Sequence, residues 1–164
     1  MIASANIHTS FTGTPYGETM ATVDLTKDNF EDVVTKNDLI IVDFWAPWCG
    51  PCKGFAPIFE GASEKHPGVV FAKVNTDVEQ ELAGHFAIRS IPTIMVFREK
   101  VVLFSQGGAL PVEGLESIIS QAQALDMKQV HEDIAKQEKE QATAAIRQPP
   151  QPVNDTEGNQ GFPP

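Results

Sequence analysis

Residues 48–53 read WCGPCK, and they contain the only two cysteines of the 164-residue chain. The two thiols are three positions apart, with Gly50 and Pro51 between them and Trp48 in front of them. The apolar run LIIVDFWA, at 39–46, precedes this stretch, and a segment with apolar side chains at helical spacing follows it. The pattern therefore predicts a Cys-x-x-Cys pair at the junction of a buried strand and a helix.

The composition of the chain argues against several classes of function. About 41% of the residues are apolar and 21% are charged, as in ordinary globular proteins. Twelve basic residues face 22 acidic ones, a net charge of -10, so neither nucleic acid nor an anionic membrane is expected as a partner. No apolar run is long enough to cross a membrane, and residues 1–17 lack the pattern of a secretory signal. The expected location is therefore the cytoplasm.

The number and placement of the cysteines narrow the chemistry further. A secreted disulfide scaffold needs more cysteines, spread along the chain. A structural zinc site needs four ligands, and the four histidines are too scattered to complete one. A pair of inert buried cysteines is disfavoured, because Gly50, Pro51 and Trp48 suit an exposed loop. A reversible dithiol remains, with no metal and no bound cofactor predicted.

Residues 21–125 show the alternation of strand-like and helix-like segments that is typical of an α/β domain. The last two predicted strands form a hairpin, and the turn type stays open because Arg98-Glu99-Lys100 lacks the Asn-Gly of a tight turn. The predicted strands are TVDL, LIIVDFWA, VVFAKVN, TIMVFR and VVLFSQ. The predicted helices are KDNFEDVV with Thr26 as its cap, CGPCKGFAPIFEGASEK, VEQELAGHFA and a helix that begins near Pro111.

Three segments lie outside this domain. Residues 1–20 are predicted to be a disordered leader, and Met1 and Met20 both stay open as the start of the chain. Helix-forming residues continue to about Arg147, so residues 126–147 are predicted to extend the last helix of the domain. Residues 148–164 are Pro-rich and polar, and they are predicted to be a disordered tail.

The two cysteines are expected to have different roles. A helix N-terminus presents free N–H groups and a positive dipole end to Cys49, which stabilises the thiolate and lowers the pKa of this thiol. Cys52 lies one turn further along the helix, within disulfide reach and more shielded. We therefore expect Cys49 to be the exposed nucleophile and Cys52 to be the resolving thiol.

Asp43 is unusual because it lies in the middle of an apolar strand. An unpaired buried carboxylate is costly, so this group needs a raised pKa or a partner, and Lys73 in VVFAKVN is the best candidate for that partner. The functional interpretation is that Asp43 accepts the proton of Cys52 during catalysis. The alternative is that Asp43 points to solvent from the edge of the sheet.

Taken together, these residues resemble the thioredoxin family over roughly residues 21–125, where VDFWAPWCGPCK, FAP, FAKVNTD, IRSIPT and GGALP occur in the family's order. The resemblance implies a thioredoxin fold, with a central mixed five-stranded sheet flanked by helices, here with an extended C-terminal helix. It implies a cis peptide bond before Pro92, which lies against the dithiol. The resemblance also identifies Asp43 and Lys73 with the family's buried pair, and it implies a substrate-docking surface made by Trp48, Gly50, Pro51, Ile91 and Gly108.

The resemblance implies a protein disulfide reductase that acts on disulfide-containing proteins and is re-reduced by thioredoxin reductase, an NADPH-dependent flavoprotein. Two alternatives stay open. The domain could be a binding module that acts through its C-terminal arm, which the intact Cys49 and Cys52 pair disfavours. It could also be a disulfide oxidase or isomerase, which the Gly-Pro dipeptide disfavours. The sequence leaves the physiological substrate and the oligomeric state open.

Overall fold

The structure is a computed structural model that describes residues 22–147 of the chain. The expected leader, residues 1–20, and the expected tail, residues 148–164, lie outside the described residues. The chain divides between Leu125 and Asp126 into two compact units.

The first unit is built around a five-stranded mixed sheet, as expected. The strands are β1 (Val23–Asp24), β2 (Leu39–Trp45), β3 (Val70–Asn75), β4 (Thr93–Arg98) and β5 (Val101–Gly107). They lie in the order β1-β3-β2-β4-β5. β3 runs parallel to β1 and β2, whereas β4 runs antiparallel to β2 and β5. β2 is therefore the central strand, which explains why its sequence is apolar on both faces.

Helices cover both faces of this sheet. They are α1 (Lys27–Lys36), α2 (Gly50–Lys65), α3 (Gln80–His85) and α4 (Val112–Ala124). Successive side chains of β2 alternate between two clusters. Leu39 and Ile41 belong to the cluster with α2 and α4, and Ile40 and Val42 belong to the cluster with α1 and α3. By this alternation Asp43 projects toward α2 and α4.

The start of α1 agrees with its sequence signal. Thr26 is the N-cap, and its hydroxyl accepts a hydrogen bond from the backbone N–H of Asn29 at 3.4 Å. The Asn29 side chain in turn accepts one from the N–H of Thr26 at 2.8 Å. This reciprocal arrangement is a capping box, so two of the free N–H groups at the helix start are satisfied.

The hairpin between β4 and β5 resolves the turn type that the sequence left open. Glu99 and Lys100 form a two-residue turn in which both have positive φ values, of 48° and 69°. Left-handed conformations at both central positions are the mark of a type I′ turn, which matches the twist of the strands. The turn is therefore a tight one, made without the glycine that favours it.

The helical extension forms, but not as one helix with the end of the domain. α4 ends at Ala124, Leu125 is extended, and α5 runs from Met127 to Arg147. The helical extension is therefore a separate helix that is not continuous with α4.

Two contacts account for this break. Nη1 of Arg98 donates to the carbonyls of Ala122 and Leu125 at 2.7 and 2.9 Å, which satisfies the end of α4. Oδ1 of Asp126 accepts from the backbone N–H groups of Lys128 and Gln129 at 3.0 and 3.4 Å, which begins a new helix. An aspartate directly before a run of helix formers was the sequence signal for this second start.

Candidate active site

The two cysteines lie at the start of α2, where the sequence predicts them. Cys49 is the N-cap and Cys52 lies in the first turn, with Pro51 between them at a position where its missing N–H costs nothing. Their sulfur atoms form a disulfide, with 5.3 Å between the two Cα atoms. The structure therefore shows the oxidised form of the dithiol.

The helix terminus acts on the two sulfurs unequally. The backbone N–H of Cys52 donates a hydrogen bond to Sγ of Cys49 at 3.2 Å. Cys49 is 4% exposed and Cys52 is 2% exposed, so the expected greater exposure of Cys49 is slight in the disulfide form. What distinguishes the two sulfurs is the N–H group directed at Cys49, which favours its thiolate after reduction.

Exposed residues surround the dithiol. Trp48 is 69% exposed, and Gly50 and Pro51 are exposed as well. The indole Nε1 of Trp48 donates to both carboxylate oxygens of Asp77 at 3.1 Å, which fixes the ring. Asp77 was missed at the sequence level. A signal was present, because Trp48 and Asp77 follow two neighbouring parallel strands whose carboxyl ends meet at one edge of the sheet.

The segment before β4 closes the other side of the dithiol. The Ile91–Pro92 peptide bond is cis, as the resemblance implies. Ile91 packs against the small cluster formed by Ala46 and the two cysteines. The N–H of Gly108, which has φ of 102°, donates to the carbonyl of Pro92 at 2.7 Å. The structure thus brings the expected docking residues together, and their role in binding substrates stays a prediction.

Asp43 is buried in the middle of the sheet. It is 1% exposed and lies between Lys73 of β3 and Ile94 of β4 in the strand register, so the alternative of a solvent-facing edge residue is wrong. Its Oδ1 has no hydrogen-bond partner. Burial raises the pKa of Asp43 from 3.8 to about 7, against the opposing effect of the Lys73 charge. A carboxyl group with this pKa gains and loses its proton near neutrality.

Lys73 is the cation nearest to this carboxyl in the strand register, as the sequence suggests, but its ion pair is with another group. Its Nζ lies 3.5 Å from Oε1 of Glu60 on α2, and 5.1 Å from the centre of the Trp45 ring. Sequence reasoning missed Glu60, because an acidic residue on an exposed helix position carries no signal of a partner on a neighbouring strand.

Residues 22–147 contain no cluster of His, Cys, Asp or Glu side chains that could hold a metal ion. Over the same residues, no helix is long and apolar enough to cross a membrane. The region of the site contains the Cys49–Cys52 disulfide, the buried carboxyl of Asp43 and the Lys73 ammonium.

The region that contains this site is similar to known proteins. The Thioredoxin family model matches residues 21–121. A putative thioredoxin 2 of Streptomyces coelicolor is 51% identical over 118 residues, which cover 72% of this chain and 88% of that protein. The thioredoxin of Haemophilus influenzae is 42% identical over 57% of this chain and 89% of its own. A solved thioredoxin of Plasmodium falciparum is 34% identical with a TM-score of 0.58, over 61% of this chain and 98% of that one.

Proposed function

The chain belongs to the thioredoxin family and is a thiol–disulfide oxidoreductase, and on that basis we propose that it is a cytoplasmic protein disulfide reductase. The observation that carries the proposal is the disulfide at the start of α2, with a backbone N–H directed at Cys49. No cationic side chain lies between the two cysteines to stabilise the thiolate further, which favours a reducing couple over an oxidising one.

The first step uses the reduced protein. The Cys49 thiolate attacks one sulfur of a substrate disulfide. A new S–S bond forms between Cys49 and that sulfur, and the other substrate sulfur leaves as a thiolate that takes up a proton. The substrate chain docks on the surface formed by Trp48, Gly50, Pro51, Ile91, Pro92 and Gly108.

The second step resolves the mixed disulfide. Asp43 accepts the proton of Cys52, and the resulting thiolate attacks Sγ of Cys49. The Cys49–Cys52 disulfide forms, and the second substrate sulfur leaves as a thiolate that is then protonated. The substrate has gained two electrons and two protons, and the protein has become oxidised. The positive charge of Lys73, in register with Asp43, lowers the pKa of this carboxyl and so partly offsets the effect of burial.

The oxidised protein must be reduced again before it can act on another substrate. An NADPH-dependent flavoprotein of the thioredoxin reductase type supplies the two electrons in this proposal. The protein itself needs no bound cofactor, because both of its reacting groups are side-chain sulfurs.

The reduction potential of the Cys49–Cys52 couple tests the direction of the reaction. We expect a potential more negative than those of glutaredoxins, which are about −200 to −230 mV. A value near about −180 mV, as in protein disulfide isomerase, would refute the assignment as a reductase. In an insulin reduction assay, Cys49→Ser should be inactive, whereas Cys52→Ser should accumulate mixed disulfides through Cys49. Accumulation by Cys49→Ser instead would reverse the two roles.

A second candidate function concerns α5. The matched family region ends at residue 121, and α5 belongs to a separate compact unit that begins at Asp126. Among residues 127–143 of α5, the narrow strip of Met127, Val130 and Ile134 contains the least exposed side chains. The alternative is therefore a thioredoxin domain that acts as a binding module through this arm. Full insulin reduction by a chain that ends at Leu125 would separate the arm from the redox activity.

A further inference from the structure

We propose that Glu60 is a positioning residue that holds the Lys73 ammonium away from Asp43 and thereby sets the pH range in which Cys52 is activated. The inference rests on the proposed function of Asp43 as the proton acceptor of Cys52. Neither the motif nor the match to the family assigns a role to Glu60.

The sheet register places Asp24, Lys73 and Asp43 side by side. Lys73 of β3 is in register with Asp43 of β2 on one side and with Asp24 of β1 on the other. Paired residues of parallel strands point to the same face of the sheet. Phe71, two residues before Lys73, belongs to the cluster covered by α2 and α4, so Lys73 projects toward these helices.

The helix above this face supplies the fourth group. α2 carries Cys52 in its first turn and Glu60 two turns later. Nζ of Lys73 lies 3.5 Å from Oε1 of Glu60 and 5.1 Å from the centre of the Trp45 ring. Among the described residues, no second carboxylate lies within ion-pair distance of Lys73. The ammonium is therefore held by Glu60, rather than by the buried carboxyl in register with it.

Exposure to solvent increases from Asp43 through Lys73 to Glu60. Asp43 is 1% exposed, the Lys73 side chain is 15% exposed and the Glu60 side chain is 51% exposed. Glu60 thus draws the ammonium toward solvent, and Asp43 keeps an Oδ1 without a hydrogen-bond partner. A carboxylate without a close cation is a better base, because its charge is less stabilised.

The remaining neighbours do not supply a competing charge. On β4, the residue in register with Asp43 is Ile94, which belongs to the apolar cluster with α2 and α4. On β1, Asp24 is exposed at the edge of the sheet, so solvent screens its charge. The charged groups next to Lys73 are therefore Asp24, by strand register, and Glu60, by ion pair, and the dithiol lies at the start of the same helix as Glu60.

The test is Glu60→Gln in the full chain, which removes the negative charge and keeps the shape of the side chain. Without Glu60, the ammonium is free to approach Asp43, so Asp43 should lose its proton at lower pH. We expect the midpoint of the Asp43 carboxyl titration, followed by NMR in the reduced protein, to fall by about 0.5 pH unit. This shift corresponds to about 0.7 kcal/mol, which is within the range measured for exposed ion pairs. The acidic limb of the pH profile of insulin reduction should fall with it.

Two matched variants control the experiment. Glu60→Asp keeps the charge and should keep the midpoint close to that of the unchanged protein. Glu64→Gln makes the same change at an exposed position one turn further along α2 and should leave the midpoint where it was. An unchanged midpoint in Glu60→Gln, or an equal shift in Glu64→Gln, would overturn the proposal. If the unchanged protein did not reduce insulin, the proposed function would fail, while the NMR midpoints would still decide the role of Glu60.

Discussion

Replacing Asp43 by asparagine should make the protein more stable at neutral and alkaline pH, and at the same time slower as a reductase. The side chain is 1% exposed and its Oδ1 has no hydrogen-bond partner. Burial raises the pKa of Asp43 from 3.8 to about 7 in the folded protein. In the unfolded chain the Asp43 carboxyl ionises near its ordinary pKa. The folded and unfolded states therefore bind different numbers of protons at any pH between the ordinary pKa and the raised pKa.

The size and sign of the effect follow from this difference. Between about pH 4 and pH 7 the folded protein retains a proton that the unfolded chain has lost, so the free energy of unfolding decreases as the pH rises. A difference of about three pKa units corresponds to about 4 kcal/mol, reached fully above about pH 8. The asparagine side chain carries no charge and avoids this loss, although its amide is still a buried polar group. We expect Asp43→Asn to be about 2–4 kcal/mol more stable at about pH 8 and close to unchanged at about pH 4.

Urea unfolding of the oxidised protein and of Asp43→Asn, repeated across this pH range, measures the difference. Asp24→Asn is the matched control, since Asp24 is an exposed aspartate in the same register of the sheet. Its stability difference should not grow with pH. A stability gain in Asp43→Asn that did not increase from acid to alkaline pH would refute the reasoning from burial. Insulin reduction near pH 7 should be slower in Asp43→Asn, because Cys52 loses the proton acceptor that we propose for it. An unstable but fully active variant would show instead that Asp43 is a structural hydrogen-bond partner.

Three further outcomes are expected from the rest of the molecule. Thr26→Ala removes the capping hydroxyl of α1 and should lower the free energy of unfolding by about 1 kcal/mol in urea, whereas a change near zero would show that the capping box adds nothing. Lys100→Gly relieves a positive φ of 69° and should raise the free energy of unfolding in urea by about 0.5 kcal/mol. A decrease in this free energy would contradict a strained turn. Truncation after Leu125 should leave insulin reduction nearly unchanged, and a loss of about tenfold, or roughly 1.4 kcal/mol, would show that α5 supports the site.

Much of the fold could be predicted because its signals are local. The alternation of apolar segments placed all five strands, and the acidic first turn after Thr26 placed the start of α1. The Cys-x-x-Cys motif placed the dithiol at the start of α2. Each of these features depends on residues that are close in the sequence, so one sequence contains the information that is needed.

What was missed depends on contacts between distant residues. The end of α4 is fixed by Arg98, which lies 24 residues before the carbonyl of Ala122 that it binds. Trp48 is held by Asp77, 29 residues further along the chain. The partner of Lys73 is Glu60, on the helix that covers its strand. The identity of such partners depends on the register of the sheet and the rotation of the helix, neither of which a local pattern determines.

The starts of α1 and α2 show how the same backbone feature serves two purposes. At α1 the N-cap is Thr26, whose hydroxyl takes part in a reciprocal pair of hydrogen bonds. At α2 the N-cap is Cys49, whose sulfur accepts one N–H at 3.2 Å and is a weaker acceptor than a hydroxyl while it is uncharged. The α2 terminus is therefore incompletely satisfied in the oxidised protein. Reduction gives Cys49 a negative charge, and the same N–H and helix dipole then stabilise the thiolate. In the proposed mechanism, the helix start that is incompletely capped in the oxidised form therefore stabilises the Cys49 thiolate in the reduced form, in which this thiolate attacks the substrate.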